Sequence, residues 1–541
     1  MGKKRIILIA FCFIFIIFCV VLGIGILFKE EIQATIKTLS VKVSNYDNNI
    51  KKLEISSGLF YDNENVTAIN KNIEKLKKKT SYTFSNPLMI YNPFGLYNNS
   101  IYIYFNTDFN SKLRYTIKSD NTSDFTQTLK TDNGSYVTEH EYTIIGLIPN
   151  ANNTVILELL DENDNVIEKK EFEVMTEPLS AEFTVTKQVI DESEELSDGL
   201  YFVTGGSGGG NNYLVDNDGN IRAELSCINY RSDNIKFLDG NIIICVNDRK
   251  LAMVDRVGRI SKLYDLGDYC MHHDFDIVGN KAIILASEMY PQDKEVEDIA
   301  LQLDLDTSEV SVLFDFEEIL GEYKKITNKA VDYTQEETWD WMHINTIDYI
   351  EDDQIVVSSR ETSSIIKISD VFENPTIDYI IADEKIWEDT PYSDLVLTKE
   401  SDFISQAGQH TVTYEEDENT EDGKYYIYLY NNNFWSYNTR ENFEYRIEGT
   451  GDYDTENISS MYYKYLVDEE NKTYDLVETI DVDYSPIVSS AQDYDDHYVI
   501  CSSMANTFVE YDDNQNLLAK FTITNNAYRT FKLSFNGYMF E

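Results

Sequence analysis

From about residue 181 to residue 541, apolar and polar positions alternate in short runs separated by turns rich in Asp, Asn and Gly. Segments 212–225, 234–260, 299–316, 354–369 and 507–523 all read this way. A period of two marks a strand with one face buried, and short polar turns between such runs make antiparallel hairpins. Sets of hairpins recurring every roughly 50–70 residues match the blades of a β-propeller, and this length accommodates between about five and seven of them. No long helical period competes with this reading. Upstream, residues 85–180 carry shorter alternating runs (100–105, 112–119, 141–148) with turn signals such as Asn133-Gly134, which predicts a small β-sandwich. Its one histidine, His140, lies in a polar stretch and reads as exposed. Residues 29–84 are polar with short helical patches and read as a stalk or linker. The expected fold class is therefore all-β, a sandwich at 85–180 followed by a propeller at 181–541.

The N-terminus departs from this pattern. Lys3, Lys4 and Arg5 precede an uncharged apolar run at residues 6–28. At 1.5 Å per residue such a run reaches about 34 Å, enough for a tilted transmembrane helix. A signal peptide would show an apolar core of about 7–15 residues and a small-x-small cleavage site. Neither is present, so residues 1–28 are expected to be an uncleaved single-pass membrane anchor. Its basic end would lie inside and the rest of the chain outside the cytoplasm.

Composition narrows the function. A formal net charge of −50 excludes nucleic acid as a partner, since affinity for phosphate backbones comes from Lys and Arg. With 39 Tyr, 27 Phe and only 8 Pro the chain reads as packed β structure, not as a disordered acidic tail. Cys12 and Cys19 fall in the apolar run. Cys227, Cys245, Cys270 and Cys501 are scattered without a CxxC pair, so neither a zinc ribbon nor a dithiol redox motif is supported. Whether Cys227 and Cys245 pair stays open.

Two further motifs dissolve on inspection. The DNDGN run at 216–220 begins like a calcium loop but continues with Ile221 and Cys227 where Gly and Glu would be needed, so it is a hairpin turn. The GGSGGG run at 205–210 lacks a following Lys-Ser/Thr and leads into a strand, so it reads as a flexible blade turn or as lining of the funnel.

The histidines carry more. The chain has six, and His273 (with His272 beside it), His343 and His410 each head an alternating run, 70 and 67 residues apart. A propeller brings equivalent positions of its blades to one mouth of the central channel. After His273 the apolar positions are Phe275 and Ile277, and after His410 they are Val412 and Tyr414; Ile347 follows His343 at the same spacing. This parity selects His273 over His272 as the repeat equivalent. Arg360 ends the strand after His343 and adds a cation to the cluster. Three convergent imidazoles suit either metal coordination or metal-free nucleophilic and acid–base catalysis.

The segment WDWMHINTIDYIEDDQIVVSSR, residues 339–360, resembles the DWxHxN…SSR signature of the bacterial arylsulfate sulfotransferases. HHDFDI and GQHTV resemble that family's two other histidine motifs, in the same order. The resemblance spans roughly residues 85–541 and implies a six-bladed propeller behind an N-terminal β-sandwich. It implies that His410 is the nucleophile that becomes sulfated. His343, His273 and Arg360 would then bind the sulfuryl oxygens and assist the departing phenol, with His272 and Asn345 lining the substrate site and Asn345 orienting His343. The partners implied are an aryl sulfate donor and a phenolic acceptor, in a ping-pong reaction with no metal, no cofactor and no nucleotide donor. The chain departs from the family pattern in the acidic run that follows His410. Two other readings stand beside this one. One is a metal-dependent propeller enzyme with Asp274 or Glu288 as additional ligands, and the other is a non-catalytic anchored propeller that binds glycan or protein.

Overall fold

The computed structural model describes residues 41–541 apart from 48, 56–60, 193, 207–208, 292–293, 297, 332–336, 418–419, 422, 436 and 442. Among the described residues no helix is long and apolar enough to cross a membrane; the expected anchor at residues 6–28 lies outside them.

The N-terminal unit is organised by one strand, Ile101–Lys118. A register break between Asn106 and Ser111 bends it. Its first half therefore pairs with Leu88–Tyr91 and Val137–Ile144, and its second half with Phe125–Leu129 and Asn152–Leu160. Much of the segment expected as a stalk is folded into this unit. Lys42–Asp47 and Ile50–Glu54 form a hairpin, and Ile50–Glu54 pairs in parallel with Leu88–Tyr91. The helix Asn63–Lys77 buries Ala68, Ile69, Ile73 and Leu76 in the same core. Those four lie at helical spacing within an otherwise polar stretch, so average composition concealed an amphipathic stripe. His140 is also not exposed. It is fully buried, stacked on Phe105 at 4.5 Å, and burial lowers its pKa to about 4.

Six four-stranded blades follow. Blade 1 runs outward from Thr530–Leu533 through Leu200–Val203, Asn212–Val215 and Ile221–Leu225. Blade 2 comprises Ile235–Leu238, Asn241–Asn247, Lys250–Asp255 and Ile260–Asp265. Blade 3 comprises Tyr269–Val278, Lys281–Glu288, Ile299–Asp304 and Val310–Asp315. Blade 4 comprises Ile344–Ile350, Gln354–Ser359, Ser364–Ser369 and Thr376–Ile381. Blade 5 comprises His410–Glu415, Lys424–Asn431, Ser460–Asp468 and Thr473–Val482. Blade 6 comprises Ser490–Tyr494, His497–Ser502, Thr507–Tyr511 and Leu517–Ile523. The ring closes from both ends: Val185–Val189 caps the outer edge of blade 6, while the last strand of the chain is the inner strand of blade 1.

Hydrophobic clusters fill the spaces between blades. Ile283 and Leu285 of blade 3 meet Ile344 and Ile347 of blade 4, and Val356 and Ile365 of blade 4 meet Ile427 and Leu429 of blade 5. The sandwich shares its core with blades 1 and 2, and the Arg256 guanidinium donates to the Glu141 carbonyl across that junction at 2.8 Å. The DNDGN run is the hairpin turn expected, with the Asp216 carboxylate taking the Asp218 and Asn220 N–H groups and the Arg222 guanidinium at 2.6 Å. Of the GGSGGG run, Gly206 and Gly209 bridge each other in the loop between the second and third strands of blade 1.

Candidate active site

At one mouth of the channel the inner strands begin irregularly. In blade 3 the pairs Met271–Ala286 and Phe275–Ile284 leave residues 272–274 opposite a single residue. Blades 4 and 5 have one extra residue each, between Ile344 and Thr346 and between His410 and Thr413. His273 (φ 57°) and Thr411 (φ 47°) within these bulges, and His343 (φ 48°) just ahead of one, lie in the left-handed region, each at a cost of about 1–3 kcal/mol. In blade 5 the left-handed residue is the one after the histidine. His410 is therefore one position out of step with His273 and His343, a difference that regular alternation cannot register.

The rings converge on this mouth. His273 and His343 have ring centroids 5.0 Å apart, and Tyr528, which leads into the inner strand of blade 1, lies 5.8 Å from His273 and 6.4 Å from His410. All of these residues are buried, His410 with 1% of its surface exposed. His272 meets His273 through their Nδ1 atoms at 2.9 Å, so one of the two nitrogens donates and the other accepts.

The partners of the histidines differ in kind. His343 Nδ1 contacts the Asp340 carboxylate at 2.5 Å. His410 Nδ1 faces two neutral oxygens, the Gly408 carbonyl at 3.0 Å and Asn432 Oδ1 at 2.8 Å. Gly408 has φ 64°, and a Cβ there would stand 2.7 Å from the Phe434 carbonyl oxygen, so only glycine fits two residues before His410. Burial drives the pKa of His410 well below the usual imidazole value. The Asn432 hydrogen bond opposes that shift, and Arg360, Arg529 and His343 reinforce it. A lowered pKa leaves His410 uncharged at neutral pH, with two oxygens placed at Nδ1 to accept a proton from it.

Arg360 follows the strand Gln354–Ser359, its N–H bonded to the His343 carbonyl at 3.1 Å, and its Nε is buried with no hydrogen-bond partner among the described residues. Asn345 is not the partner of His343. Its amide donates to the Gln409 carbonyl at 2.8 Å and so braces the backbone next to His410.

Composition and spacing did not reveal five further residues here. Arg529 pairs with Asp274 at 3.1 Å and donates to the Asn345 carbonyl at 2.7 Å. Arg231 pairs with Asp233 at 2.5 Å and lies 3.7 Å over the Tyr528 ring. The Tyr528 hydroxyl is buried and has no hydrogen-bond partner among the described residues. Asp340 and Asn432 complete the set. Tyr and Asn are too common in this chain for type or spacing to mark them; Asp340 sat inside the quoted motif.

The geometry bears on the metal reading. Asp274 is committed to Arg529, and Glu288 is exposed. Among the described residues the one group of three side chains placed to share an ion is Glu194, Asp512 and Asp513, which includes none of His273, His343 and His410.

Two family profiles match the chain. "Arylsulfotransferase (ASST)" covers residues 185–536, and "Arylsulfotransferase Ig-like domain" covers residues 88–189. They overlap on Val185–Val189, the strand that caps blade 6. No curated protein matches by sequence. Solved structures similar to the chain include a Bacteroides fragilis protein described as a 6-phosphogluconolactonase (9% identity, 79% of this chain and 99% of that one, TM-score 0.34). They also include AztD from Citrobacter koseri (7%, 78% and 98%, 0.28) and an inactive variant of virginiamycin B lyase from Staphylococcus aureus (10%, 63% and 89%, 0.29). At such scores these likenesses carry no argument about function. The family match spans more than half of the chain, so the protein belongs to the arylsulfotransferase family and its chemistry is aryl sulfotransfer.

Proposed function

We propose that the enzyme moves a sulfuryl group from a phenolic sulfate ester to a phenolic acceptor through a covalent intermediate on His410. The observation that carries this reading is the state of His410, a buried neutral imidazole with Nδ1–H bonded to two oxygens and Nε2 left as the nucleophile. In the first half-reaction the Nε2 lone pair forms a bond to sulfur as the bond from sulfur to the aryl oxygen breaks. The electron pair leaves with that oxygen, which takes a proton from His343. The Asp340 carboxylate stabilises positive charge on His343 before that transfer. In the second half-reaction an acceptor phenol returns a proton to His343, its oxygen bonds to sulfur, and the N–S electron pair goes back to Nε2.

Arg360 and His273 face the non-bridging oxygens in this reading. By analogy with phosphoryl transfer the transition state is loose, so catalysis rests on positioning and charge stabilisation. The donor in this reading is a simple aryl sulfate, not a nucleotide; the glycine-rich run leads into the strand Asn212–Val215, where a phosphate-cradling loop would lead into a helix. With residues 6–28 as an anchor, the enzyme works outside the cytoplasm.

Mass spectrometry after mixing the protein with an aryl sulfate alone tests this directly. One sulfuryl group should appear on the peptide containing His410, and acceptor phenol should remove it. His410→Ala should lose at least ~10³-fold in kcat. Full activity in that variant, or no labelling of the wild type, sinks the reading.

A further inference from the structure

We propose that Asn432 is a positioning residue that holds His410 as the Nδ1–H tautomer, and that its neutrality keeps the sulfated ring reactive. The second half of this proposal rests on His410 being the nucleophile. Asn432 follows the second strand of blade 5 and is fully buried. Both of its amide hydrogens are committed: Nδ2 donates to the Ser485 carbonyl at 2.8 Å and to the Val488 carbonyl at 2.9 Å. Its orientation is therefore fixed, because the flipped amide would set an oxygen against two carbonyls. Oδ1 must then face His410 as an acceptor. The Gly408 carbonyl can only accept as well, so the proton between these groups belongs to His410.

The supports are themselves held in costly conformations. Val488 has φ 57° and Ser489 φ 90°, in the segment that connects blades 5 and 6. A β-branched residue at positive φ is an outlier that persists only where its surroundings dictate it. Here the strained turn presents the Val488 carbonyl to Asn432.

The nature of the partner matters as much as its place. Once sulfur is on Nε2, the Nδ1 proton makes the ring cationic, and a cationic ring is a good leaving group for the second transfer. A carboxylate at Nδ1, such as Asp340 supplies to His343, would stabilise that cation or remove its proton, and either would slow release of the sulfuryl group. An amide orients the ring without doing so. The other groups acting on His410 are Arg360, Arg529 and His343, which all oppose protonation, together with the Tyr528 ring.

The test uses the full chain with ¹⁵N-labelled histidine and no substrate, with His410→Ala to assign the signals. The wild type at pH 7 should show a pyrrole-type Nδ1 and a pyridine-type Nε2 for His410. An Nε2–H tautomer or an imidazolium there would overturn the proposal, whatever the variants do. In Asn432→Leu the tautomers should mix, and single-turnover sulfation of His410 should slow by about 10–100-fold with little change in donor KM. An unchanged spectrum and rate would equally overturn it. In Asn432→Asp the acid limb of the donor half-reaction should move to higher pH, because a carboxylate favours the ring cation; an unmoved limb counts against the proposal. If the wild type is never sulfated, the reading of His410 as nucleophile fails while the resting tautomer still stands or falls on its own spectrum.

Discussion

A buried hydroxyl without a partner costs about 1–3 kcal/mol, and Tyr528, between His273 and His410, carries one that has no partner among the described residues. Burial raises its pKa to about 12, with Arg529 and Arg231 pulling it back, so at neutral pH it is a phenol that can only gain by donating. A sulfuryl oxygen is the acceptor this site would bring. Tyr528→Phe should therefore leave the melting temperature at or above that of the wild type while the donor half-reaction slows about 10-fold or more. A lower melting temperature with unchanged turnover would make the hydroxyl structural instead. His273, His343 and His410 were readable because histidine is scarce here and the three recur in order. Tyr528 is one of 39 tyrosines, and Asn432 is the middle of three consecutive asparagines, so residue type gave neither of them any contrast. The role of Asn432 comes from hydrogen bonds to His410 and to the segment between blades 5 and 6, and that of Tyr528 from lying between the rings of His273 and His410; no local pattern encodes either.

Between elements, the inner strands are tied by two similar clamps. The Asp276 carboxylate of blade 3 accepts the Tyr349 N–H of blade 4 at 2.9 Å, and the Asp348 carboxylate of blade 4 accepts the Tyr414 N–H of blade 5 at 2.7 Å. Lys236 of blade 2 completes the chain on Asp276 at 2.7 Å. Burial, then the nearby Asp276, push the pKa of Asp348 above the usual carboxylate range, against the pull of Lys236. A folded pKa above the unfolded value of about 3.9 means that the stability linked to this group is complete below that value and is lost as pH rises through the folded pKa. Asp348→Asn keeps an oxygen for Tyr414 and removes the buried charge. Its stability relative to the wild type should improve as pH goes from 5 to 8, by ~1 kcal/mol or more at the alkaline end, read by denaturant titration at both pH values. A loss of similar size at both would mean that the attraction to Lys236 outweighs desolvation. The blades themselves were legible because period-two runs and Asp/Asn/Gly turns are local signals. The bulges at His273, His343 and His410 were not, since one or two inserted residues reset the parity on which the alternation argument depends. The hairpin and helix within residues 42–77 were hidden for a related reason: their buried residues are few, and the rest of the segment is polar.

For the molecule as a whole, the dominant long-range term is a formal net charge of −50. An aryl sulfate is an anion, and its approach is opposed by this field at any distance beyond which the arginines at the mouth can be felt. Arg231 and Arg529 are each paired with a buried carboxylate, which further shortens their reach. The Debye length falls from about 30 Å at 0.01 M to about 8 Å at 0.15 M. Raising NaCl across that range should therefore increase kcat/KM for the anionic donor, the reverse of the usual salt effect on an electrostatically steered enzyme. The acceptor provides the control within the same enzyme. A phenol with a pKa near 10 is neutral at pH 7, and in a ping-pong scheme its kcat/KM is measured separately, so it should change little over the same salt range. A donor kcat/KM that falls with salt would mean that the local field of Arg360 and its neighbours reaches past the rim and steers the substrate against the net charge. A parallel change in donor and acceptor would point to a salt effect on the protein instead, and would remove the case for long-range repulsion altogether.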